Sequence, residues 1–282
     1  MSTDALDISL VKLESHHLGG ALKLSQEFSW PYRLEDWAFA LQVGDGVVLE
    51  RAGEVLGTAL WWCYGDHHAT AGMIIVTEKA QGGGNGSRLF NALLDATKGR
   101  NVLLNATEQG MPLYLRRGFE PWGRVLQYQG PLADPGKIEE SADIRPAVAS
   151  DIATIEVLDE RAIGMQRQHL IDALSNVGET VVLVRDAEIT GFSIRRRFGR
   201  GYVVGPVVAE TIDDAKRLIK AHLTHLVGQF VRIDVYADDG LEAWIEGLGL
   251  KMVGDAVSMV LGTKPSAIAP AHMYAISNQS FS

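Results

Sequence analysis

The fold of this protein is decided by the stretch from Met73 to Leu94, which reads MIIVTEKAQGGGNGSRLFNALL. Its first four residues are all apolar, as expected of a strand that is covered on both faces. From Leu89 onward the apolar residues recur at the spacing of one face of a helix. The stretch therefore predicts a buried strand, a glycine-rich loop and an amphipathic helix.

The glycine-rich loop, Gln81 to Ser87, joins the predicted strand to the predicted helix. The start of a helix exposes unpaired backbone N–H groups and the positive end of the helix dipole, and both attract an anion. Glycines let the backbone approach a phosphate without a Cβ clash. The spacing is not that of a dinucleotide-binding loop, and the Gly-Lys-Ser/Thr of a P-loop is missing. Taken alone, the loop is either a phosphate site or a flexible turn.

A second motif follows the loop at a suitable distance. Leu103 to Thr107 reads LLNAT, a strand end, and Leu113 to Phe119 reads LYLRRGF, a short helix with a tyrosine before Gly-Phe. Together with Gln81-x-x-Gly84-x-Gly86, this pattern resembles the acyl-CoA signature of the GNAT superfamily of N-acetyltransferases. The resemblance covers Leu6 to Gly130 with its motifs and the rest of the chain in its pattern of elements.

The resemblance implies a role for each segment. The backbone of Ile74, Ile75 and Val76 would pair with the pantetheine arm of acetyl-CoA, and one amide would polarise the thioester carbonyl. Asn105 would contact the pantetheine amide or an ordered water. Tyr114 would stand near the thioester sulfur as the acid, unless it only packs on its neighbours, so the predicted catalytic residues are Tyr114 and Asn105. The pyrophosphate would be held by Gln81, Gly82, Gly83, Gly84, Asn85, Gly86 and Ser87.

The general base is left open by the sequence. No acidic residue lies between Ala69 and Val76, the strand that often supplies a base in this superfamily. The candidates are His67 and His68 before the strand, Glu78 after it, or a chain of water molecules. An adjacent histidine pair at a turn is more often simply exposed to solvent, and two adjacent rings do not suit one metal ion. We expect no metal.

An internal repeat organises the whole chain. Val47 to Gly57 and Val181 to Gly191 each read as an apolar strand, a polar turn and a second strand that opens with an aliphatic residue and glycine. Similar strand and helix patterns surround both segments. We therefore predict an α+β protein of two tandem GNAT-like folds, each a mixed, mostly antiparallel sheet flanked by helices.

The repeat also predicts the domain limits. The proline- and glycine-containing segment from Pro131 to Gly136 is the natural linker. We predict an N-terminal domain over residues 1–132 that binds acyl-CoA and carries the chemistry. A degenerate copy would span residues 141–264, followed by a tail over residues 265–282 with little periodicity.

The second copy lacks both motifs. Val203 to Thr211 replaces the glycine loop, and the acids Glu210, Asp213 and Asp214 crowd the next helix start, where they would repel a pyrophosphate. Trp244 or Ile245 stands where the tyrosine is expected. We therefore predict that this half binds no CoA and either completes the acceptor pocket or serves as a sheet interface.

Two segments are candidates for contact with the acceptor. Trp30 to Tyr32 precedes a helix and either forms a wall of the acceptor site or holds two helices together. Arg195 to Arg197 and Arg200 flank a predicted hairpin turn, and they are either solvated or able to recognise a carboxylate of the acceptor.

The composition excludes several classes of protein. The net charge of −9 and the absence of a long Lys/Arg run argue against nucleic acid or an anionic membrane as partner. The single cysteine permits no internal disulfide, the first residues lack a signal-peptide core, and no apolar stretch is long enough to span a bilayer. We expect a cytoplasmic monomer or homodimer.

The function implied by the resemblance is acetyl transfer from acetyl-CoA to a primary amine of a small-molecule or peptide acceptor, by direct attack in a ternary complex. The alternative is a sensor module that binds acyl-CoA without turnover, which the lack of an obvious acidic base keeps open.

Overall fold

A computed structural model describes residues 8–134 and 142–282. The residues Pro135 and Gly136 of the predicted linker, the start of the second domain at residue 141 and the first seven residues lie outside these ranges. The described part of the first half contains β1 (Ser9–Lys12), α1 (Leu18–Glu27), α2 (Leu34–Gln42), β2 (Asp45–Arg51), β3 (Glu54–Tyr64), β4 (His68–Val76), α3 (Asn85–Ala96), β5 (Asn101–Ala106), α4 (Met111–Leu115) and β6 (Glu120–Pro131).

The second half repeats this order of elements. It contains β7 (Ile144–Pro146), α5 (Ile152–Ile163), α6 (Gln168–Val177), β8 (Glu179–Arg185), β9 (Glu188–Phe198), β10 (Gly201–Ala209), α7 (Ile212–Leu223), β11 (Phe230–Tyr236), α8 (Glu242–Gly247) and β12 (Lys251–Leu261), and the tail adds β13 (His272–Ala275). The predicted α+β fold of two similar halves is confirmed.

All these strands belong to one continuous mixed sheet. The order is β1-β2-β3-β4-β5-β12-β6-β11-β10-β9-β8-β7, with β13 added beside β10. The pairs β4–β5 and β10–β11 are parallel, and the other pairs are antiparallel. Within residues 8–134 and 142–282, no helix combines the length and the apolar character needed to cross a membrane.

The two halves exchange their last strands. β12 belongs to the second half in sequence, yet it pairs with β5 and β6 of the first half. In the same way β6 pairs with β11 and β12, both from the second half. Because sheet pairing carries the backbone hydrogen bonds of these strands, each half depends on the other for its edge.

The parallel pair β4–β5 opens into a wedge. Its register runs only from His68–Asn101 to Ala71–Leu104. A bulge at Met73, whose φ is +51°, then bends β4, and the Thr58 hydroxyl donates to the Met73 carbonyl at 2.8 Å. Beyond the bulge β4 keeps β3 as a partner but presents a free edge toward β5.

The tail closes the corresponding wedge of the second half. β13 pairs antiparallel with β10 over Val207–Ala209, and Ile276 forms a bridge with Asp234 of β11. The chain then runs on into a large core that both halves share, where Phe281 is 2% exposed. Residues 271–282 of the segment without clear periodicity are therefore part of the sheet and core, whereas residues 266–270 are exposed.

Candidate active site

A cleft with a volume of about 800 Å³ opens at the free edge of β4. It brings together segments that lie far apart in the sequence: the end of β4, the glycine loop, the end of β5, α4, and the loop between α1 and α2. Of the predicted site residues, those that line it are Ile74, Ile75, Val76, Gln81, Gly82, Gly84, Asn85, Gly86, Ser87, Asn105 and Tyr114. Gly83 alone among the predicted residues does not line it.

The glycine loop is shaped for the start of α3. Gly82 and Gly84 have φ values of +82° and +75°, a region that favours glycine, and Gly84 is the N-cap residue. No side chain caps this helix and no acidic residue occupies its first turn. The N–H groups of the first turn are therefore available to a ligand that brings negative charge.

Side-chain amides brace the loop from behind. Asn85 is buried and donates from Nδ2 to the Ala80 carbonyl at 2.9 Å, while its Oδ1 accepts from Arg88 at 3.1 Å. Gln81 donates from Nε2 to the Val76 carbonyl at 3.0 Å. These bonds hold the loop against the end of β4, so its backbone is preorganised.

Tyr114 reaches the cleft from α4 and is held among aromatic rings. Its ring lies 5.1 Å from Phe90 and 6.0 Å from Phe119, between centroids. Burial raises the pKa of Tyr114 to about 12, because the low-dielectric surroundings disfavour the phenolate. The phenol therefore keeps its proton at neutral pH.

Asn105 is occupied by the tail. Its Nδ2 donates to the carbonyls of Gln279 at 2.7 Å and Ser282 at 3.3 Å, and its Oδ1 accepts from Ser258 of β12 at 2.7 Å. In this arrangement the Asn105 amide positions the tail beside the wedge. The predicted contact to a cofactor amide or a water would compete with these bonds.

The aromatic loop forms one wall of the other end of the cleft. Phe28, Trp30 and Tyr32 all line it. The Tyr32 ring also meets Phe198 of β9 edge-on at 5.3 Å, so the loop packs the two halves together. The loop therefore lines the cleft and also packs on α2 and β9, with Tyr32 lying 6.1 Å from Trp37 between ring centroids, and its role as a wall of an acceptor site stays a prediction.

The candidate bases lie elsewhere. His67, His68 and Glu78 are not among the residues that line the cleft. His68 is at the closed end of the wedge, opposite Asn101, and burial lowers the pKa of its imidazole. Among the described lining residues, the carboxylate is that of Asp255, which pairs with Arg124 at 2.7 Å.

Models of the acetyltransferase (GNAT) domain match both halves, one over residues 43–121 and the other over residues 155–275. The first range contains the free edge of β4, the glycine loop and Tyr114. The chain belongs to the GNAT acetyltransferase family. It consists of two GNAT domains in tandem.

Known proteins resemble this GNAT chain over its full length. The Bacillus subtilis (strain 168) protein named "Uncharacterized N-acetyltransferase YitH" is 24% identical over 98% of this chain and 99% of its own. The crystal structure of a candidate acetyltransferase from Pyrococcus horikoshii superposes with a TM-score of 0.82 at 19% identity, over 100% of this chain and 99% of the other. A tandem GNAT protein from the clavulanic acid biosynthesis pathway gives 0.64 at 14% identity, over 92% and 100%. At these identities the structures show a shared fold.

Sequence reasoning missed part of the GNAT cleft. Gln127, Gln129 and Arg232 line it from the neighbouring strands β6 and β11, and Gln279 and Ser280 line it from the tail. The alternation of two glutamines in a strand is a signal for a polar face, because alternate side chains share one side of a sheet. The contribution of the tail had no such local signal.

Proposed function

We propose that this protein transfers the acetyl group of acetyl-CoA to a primary amine of a small-molecule or peptide acceptor, by direct attack in a ternary complex. One observation carries the proposal: the uncapped start of α3, the free edge of β4 and the buried phenol of Tyr114 line one cleft. Membership of the GNAT family supports an acyl-CoA donor.

The donor would bind along the first half. Its pyrophosphate accepts hydrogen bonds from the backbone N–H groups of residues 84–87, helped by the dipole of α3. The pantetheine arm runs along Ile74 to Val76, where β4 lacks a partner on the β5 side. One backbone N–H of this segment polarises the thioester carbonyl and stabilises the oxyanion that forms on attack.

The chemical step then needs few groups. The amine nitrogen attacks the thioester carbon, the C–S bond breaks, and Tyr114 gives its proton to the departing thiolate. The resulting phenolate then takes a proton back from solvent. The amine arrives unprotonated and passes its surplus proton to solvent, because neither His67, His68 nor Glu78 lines the cleft. Holding the two reactants in line supplies much of the remaining rate.

A thiol-release assay with acetyl-CoA and a panel of amines, amino acids and peptides tests the proposal. Release of CoA that depends on an added amine, with an acetylated product of matching mass, supports an acetyltransferase. Tight acetyl-CoA binding without release for any acceptor favours the non-catalytic sensor, for which the lack of an unpaired base in the described cleft is the specific argument.

A further inference from the structure

We propose that the acceptor carries a carboxylate as well as its amine, and that Arg200 binds this carboxylate at the end of the cleft formed by both halves. This inference rests on the proposed acetyl transfer and names the class of its acceptor: an amino acid or a similar small amino-carboxylate.

The side chains at this end of the cleft suit an anion. Arg200, Arg232 and Tyr32 line it together with the amide side chains of Gln127 and Gln129. Guanidinium, amide and phenol groups all carry N–H or O–H hydrogen-bond donors. Guanidinium groups also match the planar geometry of a carboxylate. A cationic acceptor without an anionic group would find no carboxylate partner among the described residues at this end.

Among the described residues, Asp255 is the acidic residue that lines the cleft, and it lies outside this group. Asp255 pairs with Arg124, which neutralises it, and it also lines a second cavity that includes Glu108 and Met111 near α4. It therefore does not offset the positive charge beside the aromatic loop.

Arg232 belongs to a cluster with an excess of positive charge, which is buried except for the half-buried Arg33. It contains three arginines and two aspartates: Arg33, Arg196, Arg232, Asp36 and Asp234. Both carboxylate oxygens of Asp234 accept hydrogen bonds from Arg232, at 2.9 and 2.6 Å. Asp36 forms an ion pair with Arg33 at 2.8 Å and lies 3.9 Å from Arg196.

Arg196 is the arginine of this cluster whose positive charge has the most distant counterion. It is 4% exposed, and its Nε has no hydrogen-bond partner among the described residues. Burial lowers the pKa of its guanidinium to about 10, as expected for a charge that lacks a close counterion. A carboxylate bound nearby would reduce this unfavourable charge balance.

Arg200 is the member of the arginine run that faces the cleft. The preceding Gly199 donates its N–H to Asp36 at 2.9 Å and has a φ of +54°. A Cβ at Gly199 would approach the Pro31 carbonyl to 2.8 Å, so this turn sits directly on the aromatic loop. The guanidinium of Arg200 lies 5.5 Å from the Phe230 ring, and no described carboxylate pairs with it.

The neighbouring arginines face other partners. Arg195 forms an ion pair with Glu179, and Arg197, which is exposed like Arg200, stacks on Tyr202 at 4.8 Å. Neither lines the cleft. Of the run considered from the sequence, Arg200 is thus the residue that is placed to recognise a carboxylate, and Arg197 is its matched control.

Calorimetry tests the site without turnover. The probes are the N-acetylated forms of the twenty standard amino acids and of β-alanine, each beside its carboxamide, titrated into the full chain saturated with CoA. We expect at least one carboxylate to bind about tenfold or more tightly than its amide, since a charge-assisted pair is roughly twice as strong as a neutral hydrogen bond.

The variants locate the effect. Arg200→Gln should bring the carboxylate and its amide to the same affinity, and Arg197→Gln should keep the preference of the wild type. A wild-type chain that binds no carboxylate of the panel, or that binds amides equally well, overturns the inference. The same holds if Arg200→Gln keeps the preference.

The failure of this site is distinguishable from failure of the proposed function. If amines without a carboxylate are acetylated as well as amines that carry one, the carboxylate site is contradicted and the proposed acetyl transfer still holds. If the protein prefers carboxylates in binding but releases CoA with no amine, the proposed acetyl transfer is contradicted and the carboxylate site is supported.

Discussion

The helices α3 and α7 occupy the same place in the two halves, and their first turns differ in one decisive way. Each has twelve residues. Gly84 is the N-cap residue of α3, and this helix start has no side-chain cap and no acid, whereas Thr211 caps α7 by accepting from the Asp214 N–H at 3.2 Å. Asp214 in turn pairs with Arg185 and Arg217. The second half thus carries its own carboxylate at the helix start, where the first half leaves the first turn without a cap or an acid.

The gaps between the parallel strands next to these helices also differ, because one is open and the other is filled by the tail. β4 has a free edge beyond Ala71, while β10 is paired with β13 and β11 is bridged by Ile276. A duplicated GNAT fold therefore appears in two states, one open to a ligand and one filled by its own chain. In the second half, backbone groups of the corresponding strands and helix start are thus paired within the chain itself.

The largest effect is expected from separating the halves. A chain that ends at Asp134 should not fold alone, because β5 and β6 would both lose β12 as a partner and β6 would also lose β11. Circular dichroism through a thermal ramp checks this. A cooperative transition together with acetyl-CoA binding by the fragment would show that the open half is independent of the filled one.

The next effect concerns the start of α3. Gly84→Glu should weaken acetyl-CoA binding by about 100-fold or more, since it places a negative charge against the phosphates at the helix start. Calorimetry on the wild type should give one site per chain, and two equal sites or none would contradict the comparison of α3 with α7.

Gly99→Glu is the matched control for this variant. Both glycines have positive φ, +75° and +85°, and a Cβ at either would meet open space. Gly99 lies beyond the far end of α3 and does not line the cleft. We expect the same backbone strain in both variants and a loss of binding in Gly84→Glu alone.

Tyr114→Phe should lower kcat by about 10²–10⁴-fold and leave the Kd for acetyl-CoA nearly unchanged, because the ring stays and the acidic proton is lost. Single-turnover kinetics and calorimetry separate the two effects. Tyr236→Phe is the control, since burial also raises the pKa of Tyr236 to about 12 but this residue does not line the cleft. Equal rates for wild type and Tyr114→Phe would remove Tyr114 from the chemistry.

Phe281→Ala tests whether the tail is a structural part of both halves. The ring lies 4.9 Å from Trp62 and 5.9 Å from Phe39, so its removal should lower the free energy of unfolding by about 3–5 kcal/mol. Thermal or denaturant unfolding measures this. Ile268→Ala, at a side chain that is 59% exposed, should change little. A similar small loss in both variants would mean that the tail is dispensable.

The smallest effect is expected at the histidines. Changing His67 and His68 together to Gln should leave kcat within about threefold of the wild type, because neither lines the cleft and a general base is worth far more. Steady-state rates with a saturating acceptor check this. A loss of a hundredfold would place a proton acceptor at this turn.

Local patterns made part of this molecule predictable. An apolar strand, a glycine loop and an amphipathic helix follow one another between Met73 and Leu94. They could be predicted because hydrophobic periodicity and the conformational preference of glycine depend on only a few neighbouring residues. The repeat of Val47–Gly57 in Val181–Gly191 likewise indicated the α+β fold of two similar halves. The cleft-lining residues of these motifs, Tyr114 among them, were predicted from the resemblance of the motifs to the GNAT signature.

By itself, then, the sequence determined the strands and helices, the internal repeat, and which half carries the glycine loop. Each of these depends on residues that are neighbours along the chain. Only the tertiary structure decided the exchange of β6 and β12, the filling of the second wedge by β13, and the choice of Arg200 over Arg195 and Arg197 at the cleft. Backbone hydrogen bonds between strands are available to almost any residue, so a strand's partners are selected by long-range packing that local patterns do not encode.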